Sequence, residues 1–212
     1  MNILVTLGPS YEPIDQVRRI TNHSTGALGT ELAHSLLEAG HHVTSLCGST
    51  ALFKPQTPVP NQEFTTNESL LHLLLQTAAT TKIDAFFHVA ALGDYRVHDI
   101  HDAHGQPLSH QEKIPSRLGD LSLRLKPAIK ILPQLRALFP TALIVGWKYE
   151  CEGSRDDVIE KGKSQVAECQ TDAVVLNGKA WGEGFGLYHK EGSLISCEDA
   201  PALCHNLQHL LK

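Results

Sequence analysis

The 212-residue sequence predicts an α/β fold: a mostly parallel sheet with helices on both faces, plus a C-terminal β-hairpin and helix. Three features predict it. Short apolar runs alternate with helical patterns of roughly 10–15 residues, the arrangement that βαβ crossovers need. A glycine turn with small residues follows the first apolar run directly, as at the ligand-binding end of such sheets. The last stretch then changes character, with two extended runs flanking a glycine-containing turn.

In order, Ile3 to Thr6 reads as a strand and Thr25 to Ala39 as a helix closed by Gly40. His42 to Leu46 is a second strand. A helix from Asn67, a capping residue type, to Thr80 carries Leu70, Leu71, Leu74 and Leu75 on one face. Asp84 to Val89 is a third strand. Leu121 to Leu125, a helix from about Ile129 to Phe139 and a strand at Ala142 to Trp147 follow. A polar helix from Arg155 to Cys169 precedes the apolar strand Ala173 to Leu176. Phe185 to His189 and Ser193 to Cys197 flank Lys190-Glu191-Gly192 as a hairpin, and an amphipathic helix runs from Asp199 to Leu211. With no repeat, low-complexity linker or boundary, residues 1–212 read as one domain. Two long loops, at about 7–24 and 95–119, are candidates for function.

Hydrophobic residues make up 42% and charged residues 19% of the chain, an ordinary water-soluble composition. A chain of this size buries roughly 70% of its unfolded surface, enough to fold without a disulfide or structural metal. The net charge of −5 argues against nucleic acid or a membrane surface as partner, while leaving room for a local basic pocket. The 5 cysteines form no CxxC and their odd number suggests no disulfide framework. Neither a signal peptide nor a membrane span is read, so the expected location is the cytoplasm and the expected partners are small molecules.

Three segments are expected at the carboxyl ends of the strands. Gly8-Pro9-Ser10 follows strand one, and Asn22-His23-Ser24-Thr25-Gly26 enters the next helix. Small residues admit a ligand to the backbone, and a helix N-terminus favours phosphate or carboxylate; alternatively Ser24 or Thr25 simply caps the helix. Ala90-Ala91-Leu92-Gly93-Asp94 leaves strand three. Asp94 there is suited to a ribose, a base edge or a cation, or else is a turn aspartate bonding its own backbone. Lys113 lies late in the second loop, either solvated or poised to neutralise phosphate charge. No GxGxxG follows strand one, and no carboxylate ends strand two, which excludes the dinucleotide fingerprint. His98, His101 and His104 read as a hydrophilic loop rather than a metal site. Cys151 has no evident base and reads as a buried thiol. Trp181 to Phe185 reads as a packed turn, a pocket cover or a dimer contact.

These segments resemble the phosphopantothenate–cysteine ligases. Leu4 to Asp15 is similar to that family's strand, glycine turn and "EPxD" stretch; Val17 to Gly26 to its "VRxITNxSSG"; and Ala90 to Arg96 to its "AAVADYR". Lys113-Ile114 falls at the family's flap lysine, and weaker similarity runs through Val145-Gly146-Trp147 and Asp172 to Asn177. The resemblance implies a ligase that joins cysteine to 4'-phosphopantothenate through an acyl-nucleotide intermediate, in coenzyme A biosynthesis. It implies that Asn22 and Lys113 are catalytic, and that Arg18 and Asn22 bind the substrate. Gly8, Ser24, Gly26, Ala90, Ala91, Asp94 and Trp147 are implied to line the nucleotide site. CTP or ATP with Mg2+ is implied as co-substrate, with no flavin and no protein-held metal, and a homodimer is the expected assembly. Lys113-Ile114-Pro115-Ser116 and Gly146-Trp147-Lys148 look more like the ATP-using eukaryotic branch. Two later lysines of the bacterial nucleotide site are not matched by Lys161 and Lys163, so the alternative is a homologue that binds nucleotide or phosphopantothenate without catalysis.

Overall fold

The computed structural model describes residues 1–108 and 112–212. The chain begins with β1 (Asn2–Leu7) and a small hairpin, β2 (Tyr11–Pro13) and β3 (Arg19–Thr21). It continues through α1 (Ala27–Glu38), β4 (His42–Gly48), β5 (Asn61–Phe64), α2 (Asn67–Thr80) and β6 (Ala85–His88). An antiparallel arm, β7 (Tyr95–His101) and β8 (Ser122–Pro127), precedes α3 (Leu132–Leu138) and β9 (Leu143–Tyr149). Then come α4 (Arg155–Cys169), β10 (Ala173–Asn177), β11 (Phe185–His189), β12 (Leu194–Cys197) and α5 (Ala200–His209).

The eight-stranded sheet has the order β12-β11-β10-β9-β6-β1-β4-β5. Its strands from β5 to β10 pair in parallel, and the antiparallel pairings are those of β11 with β10 and with β12. From β1 the chain moves outward through β4 to β5, then crosses back to lay β6 on the other side of β1. The point where strand order reverses therefore falls between β1 and β6, where open α/β sheets bind ligands.

Side-chain alternation along the strands builds a core on each face. Ile3, Val5 and Leu7 of β1 pack with Leu32 and Leu36 of α1 and Leu203 and Leu207 of α5. Leu4 points the other way, joining Phe86, Ile144, Leu70 and Leu74 of α2 and Leu135 of α3. Val158 and Val166 of α4 cover Val174 and Leu176. Helix α1 lies close on β1 because Gly29 faces Leu7, where an added Cβ would stand 2.4 Å from the leucine Cβ.

Several sequence expectations need correction. The two long loops are structured: residues 7–24 contain β2 and β3, and residues 95–119 begin with β7, which pairs with β8. Part of that second loop, residues 109–111, lies outside the described residues. Strand β5 was not anticipated, because its only buried residue is Phe64 and it carries no apolar run. Helix α3 starts at Leu132 rather than near Ile129, with Pro133 in its first turn. Thr66, not Asn67, caps α2 by accepting from the Ser69 amide at 3.1 Å. Leu75 is exposed on α2. Trp181 packs over Gly186 with Arg155 on its ring at 4.0 Å, which makes it a packed turn.

Candidate active site

The site begins at the turn off β1. Gly8 has φ +75, a left-handed conformation that side chains disfavour, and a Cβ there would meet the Ala51 Cβ at 2.8 Å. The chain leaving Gly8 is zipped to the chain leaving β6. The Ala91 amide donates to the Gly8 carbonyl at 3.0 Å, the Ser10 amide donates to the Ala91 carbonyl at 3.1 Å, and the Gly93 amide donates to Ser10 Oγ at 2.9 Å. Two predicted segments therefore meet at the switch point.

Hairpin β2–β3 folds over this junction. Thr21 Oγ1 donates to the Ser10 carbonyl at 2.7 Å, and Asn22 Nδ2 donates to the Leu92 carbonyl at 2.8 Å. Asn22 is exposed, so one N–H is anchored while the rest of the amide faces outward. Gly26 stands at the N-cap of α1 with φ +83; a Cβ there would lie 2.7 Å from the Phe53 carbonyl oxygen. Gly26, rather than Ser24 or Thr25, holds the N-cap position and offers no side-chain cap, while Thr25 Oγ1 accepts from the Ala27 amide at 3.4 Å, a long contact that keeps part of the capping alternative for Thr25.

Asp94 is exposed and forms an ion pair with Lys130, rather than bonding its own backbone as a turn aspartate. The backbone behind it is braced: the Ala128 amide donates to the Asp94 carbonyl at 2.9 Å. Buried Asn67 donates to the carbonyls of Gly93 at 2.9 Å and Ile129 at 3.0 Å. Sequence reasoning missed both Lys130 and this use of Asn67. The basic residue in the segment after β8 was the available signal for Lys130.

Lys113 is exposed, and the next residue, Ile114, is buried. Ile114 is bonded through its backbone to Asp15 and Arg18 at the tip of the β2–β3 hairpin. The third predicted segment thus reaches the first through Arg18. Trp147 is half-buried near the end of β9, the strand beside β6, and its indole N–H has no partner among the described residues. Just beyond it, Glu150 accepts from Lys161 at 2.7 Å and lies 3.1 Å from Lys148; Lys161 chiefly holds its carboxyl below the usual range. Cys151 is exposed, not buried as expected, because it follows the end of β9 in a surface turn.

Glu12 is a further group that sequence reasoning left without a role. Its residue is 8% exposed, and Oε1 has no partner among the described residues. Burial, with Glu68 adding like charge and Arg96 opposing, pushes its carboxyl up to about 7. His98 lies 3.5 Å from Asp99, and Asp99 pairs with Arg124 across the arm, so these residues serve β7–β8. Among the described residues, no group of three or more His, Cys, Asp or Glu is arranged to hold a metal ion.

Fold and site together define a Rossmann-like α/β protein whose polar groups gather at the carboxyl ends of β1, β6 and β9. Residues 1–207 match the family described as "DNA/pantothenate metabolism flavoprotein C-terminal domain", and the chain belongs to that family. It is similar to the coenzyme A biosynthesis bifunctional protein CoaBC of Thermococcus kodakarensis, with 32% identity over 85% of this chain and 42% of that protein. The CoaBC of Bacillus subtilis is 28% identical over 87% of this chain and 42% of its own length. The chain thus spans less than half the length of these curated relatives, at 42% of each. Among solved structures, the DNA/pantothenate metabolism flavoprotein from Streptococcus pneumoniae superposes with a TM-score of 0.86 at 24% identity, covering 100% of this chain and 98% of that one. A Cab2 mutant in complex with phosphopantothenate-cysteine superposes at 0.72 with 18% identity, covering 100% of this chain and 89% of that one. Among the described residues, no helix is long and apolar enough to cross a membrane.

Proposed function

We propose that this chain joins cysteine to 4'-phosphopantothenate through an acyl-nucleotide intermediate, as a step of coenzyme A biosynthesis. One observation carries the reading: Asn22 is docked by its own side chain on Leu92, at the junction of the β1 and β6 ends. Family membership and the bound phosphopantothenate-cysteine of the Cab2 relative support it.

In this reading the substrate carboxylate attacks the α-phosphorus of CTP or ATP, and pyrophosphate leaves. The cysteine amine then attacks the acyl carbon, loses a proton, and nucleoside monophosphate leaves. The site needs no nucleophile of its own; it must gather anions and hold them in line. Asn22 donates its outward N–H to the acyl phosphate. Arg18 offers the N–H groups not used by Asp15 and Ile114 to substrate phosphate or carboxylate. Gly8, Ser24, Gly26, Ala90 and Ala91 let the nucleotide approach the backbone and the start of α1. Asp94 and Trp147 contact the nucleoside, and Lys113 neutralises charge on the phosphates.

Mg2+ enters with the triphosphate in this reading. Asp94, the exposed carboxylate of the β6 segment, is committed to Lys130, a donor set that suits a metal coordinated chiefly by phosphate and water. The protein acts as one domain in the cytoplasm and as a homodimer. Exposed Tyr95, Leu123 and Leu125 on the β7–β8 arm support a contact with a second copy.

The test is pyrophosphate release dependent on phosphopantothenate, assayed separately with CTP and ATP, followed by product formation on adding cysteine. No turnover with either nucleotide overturns the reading. The pairing of Lys161 with Glu150 and of Lys163 with Glu160 favours one second reading, a homologue that binds without ligating. Tight binding of nucleotide or phosphopantothenate without turnover would establish it.

A further inference from the structure

Residue 114 is held more firmly than its place in a long surface connection requires. The Asp15 residue is 3% exposed, and its two carboxylate oxygens are saturated with donors. Oδ1 accepts from the amides of Val17 at 2.9 Å and Arg18 at 2.7 Å. Oδ2 accepts from Arg18 Nη1 at 2.8 Å and from the Ile114 amide at 3.1 Å. Arg18 closes the ring, since Nη1 and Nη2 each donate to the Ile114 carbonyl at 3.1 Å. Both peptide groups of Ile114 are therefore gripped by one ion pair whose carboxylate is buried and whose guanidinium is partly exposed, while the Ile114 residue is 4% exposed.

The chemistry suits a clasp. A carboxylate is an acceptor only, so it matches the Ile114 N–H, and the guanidinium is a donor only, so its planar fork matches the Ile114 carbonyl. Three N–H groups hold the Asp15 carboxyl below the usual carboxylate range against the opposing effect of its burial, with Arg18 adding to them. The clasp lies on the same hairpin as Asn22, four residues beyond Arg18 with β3 between them. It therefore sets where the backbone of exposed Lys113 stands relative to Asn22.

We propose that Asp15, working with Arg18, is a positioning residue that fixes the Lys113 segment to the hairpin leading to Asn22 by clasping the Ile114 backbone. The proposal rests on the ligase reading for the role of Lys113, while the clasp itself does not. Without the clasp Lys113 keeps its charge but loses its address, so the chemical step slows more than binding does.

The test combines Asp15→Asn, Lys113→Ala and the double variant with hydrogen exchange of the Ile114 amide. Asp15→Asn keeps the size but places an NH2 group among donors. It is expected to lower kcat by about tenfold or more, leaving KM for phosphopantothenate within about twofold, and the double variant is expected to be no slower than Lys113→Ala alone. Ile114 exchange is expected to accelerate by about tenfold or more while β1 and β6 stay protected. Additive losses, or unchanged Ile114 exchange in a folded Asp15→Asn protein, overturn the proposal. If Asp15→Asn fails to fold, Arg18→Lys decides by Ile114 exchange alone, because Arg18 also meets the substrate in the ligase reading; Ile114 exchange as slow as in the wild type then overturns the proposal. A wild-type protein inactive with both nucleotides overturns the ligase reading; the clasp then stands or falls on Ile114 exchange.

Discussion

Asn22 and Leu92 lie 70 residues apart in sequence, yet the Asn22 side-chain amide donates to the Leu92 carbonyl at 2.8 Å. This contact joins the hairpin after β1 to the chain leaving β6, and it orients the amide. Asn22→Asp replaces that donor with an oxygen facing a carbonyl, and adds negative charge where anions are to bind. The expected result is a loss in kcat/KM of about tenfold or more, equivalent to about 1.4 kcal/mol. Steady-state kinetics with the preferred nucleotide checks it, and unchanged kinetics would remove Asn22 from the mechanism.

Lys113→Ala separates chemistry from stability. Lys113 is exposed, so its loss is expected to change folding stability by no more than about 0.5 kcal/mol. Turnover is expected to fall by about 100-fold, the scale for removing one charge-stabilising group from a transition state. Urea denaturation and pyrophosphate release measure the two quantities. Near-native turnover would contradict the assignment.

Glu12 makes the protein's stability depend on pH. Its carboxyl is raised from 4.5 to about 7, so the folded state binds the proton more tightly than the unfolded chain does. The stabilisation from that proton is fully present below about pH 4.5, is lost as pH rises through about 7, and changes no further above it. Glu12→Gln removes this loss. Relative to wild type it is expected to gain about 1–2 kcal/mol in going from pH 4.5 to pH 8, discounted for partial solvent screening. Urea denaturation of both proteins at the two pH values tests this; parallel stabilities would show that the Glu12 carboxyl is not perturbed.

Gly26→Ala probes the entry to α1. The alanine would have to hold φ +83 with its Cβ 2.7 Å from the Phe53 carbonyl oxygen. The expected cost is about 1–3 kcal/mol, or several degrees in Tm for a domain of this size. The displaced helix start is also expected to raise KM for the nucleotide. A variant with wild-type Tm and KM would show that the turn relaxes freely.

Much of the sheet was legible because its strands are short apolar runs buried on both faces. β1, β4, β6, β9 and β10 all fall within a few residues of their sequence-based positions. The elements that were missed lack that signal. β2 and β3 have 3 residues each, and β5 buries only Phe64 at the sheet edge. Most of β7 is half-buried against an exposed β8. In the site, Gly8, Asn22 and Asp94 could be named from local spacing and from the motif resemblance. Lys130 could not be paired with Asp94, nor Ile114 with Asp15, because those partners are 36 and 99 residues apart.

The sequence by itself determined where strands, helices and glycine turns occur, since hydrophobic period and the backbone freedom of glycine are properties of the local chain. Tertiary structure alone decided that Asp15 and Arg18 grip Ile114, that Asp94 faces Lys130, and that the Glu12 carboxyl holds its proton to about pH 7. Hydrogen-bond partners and proton affinity depend on which distant groups and how little water surround a side chain, and that environment exists only once the sheet and its hairpin have come together.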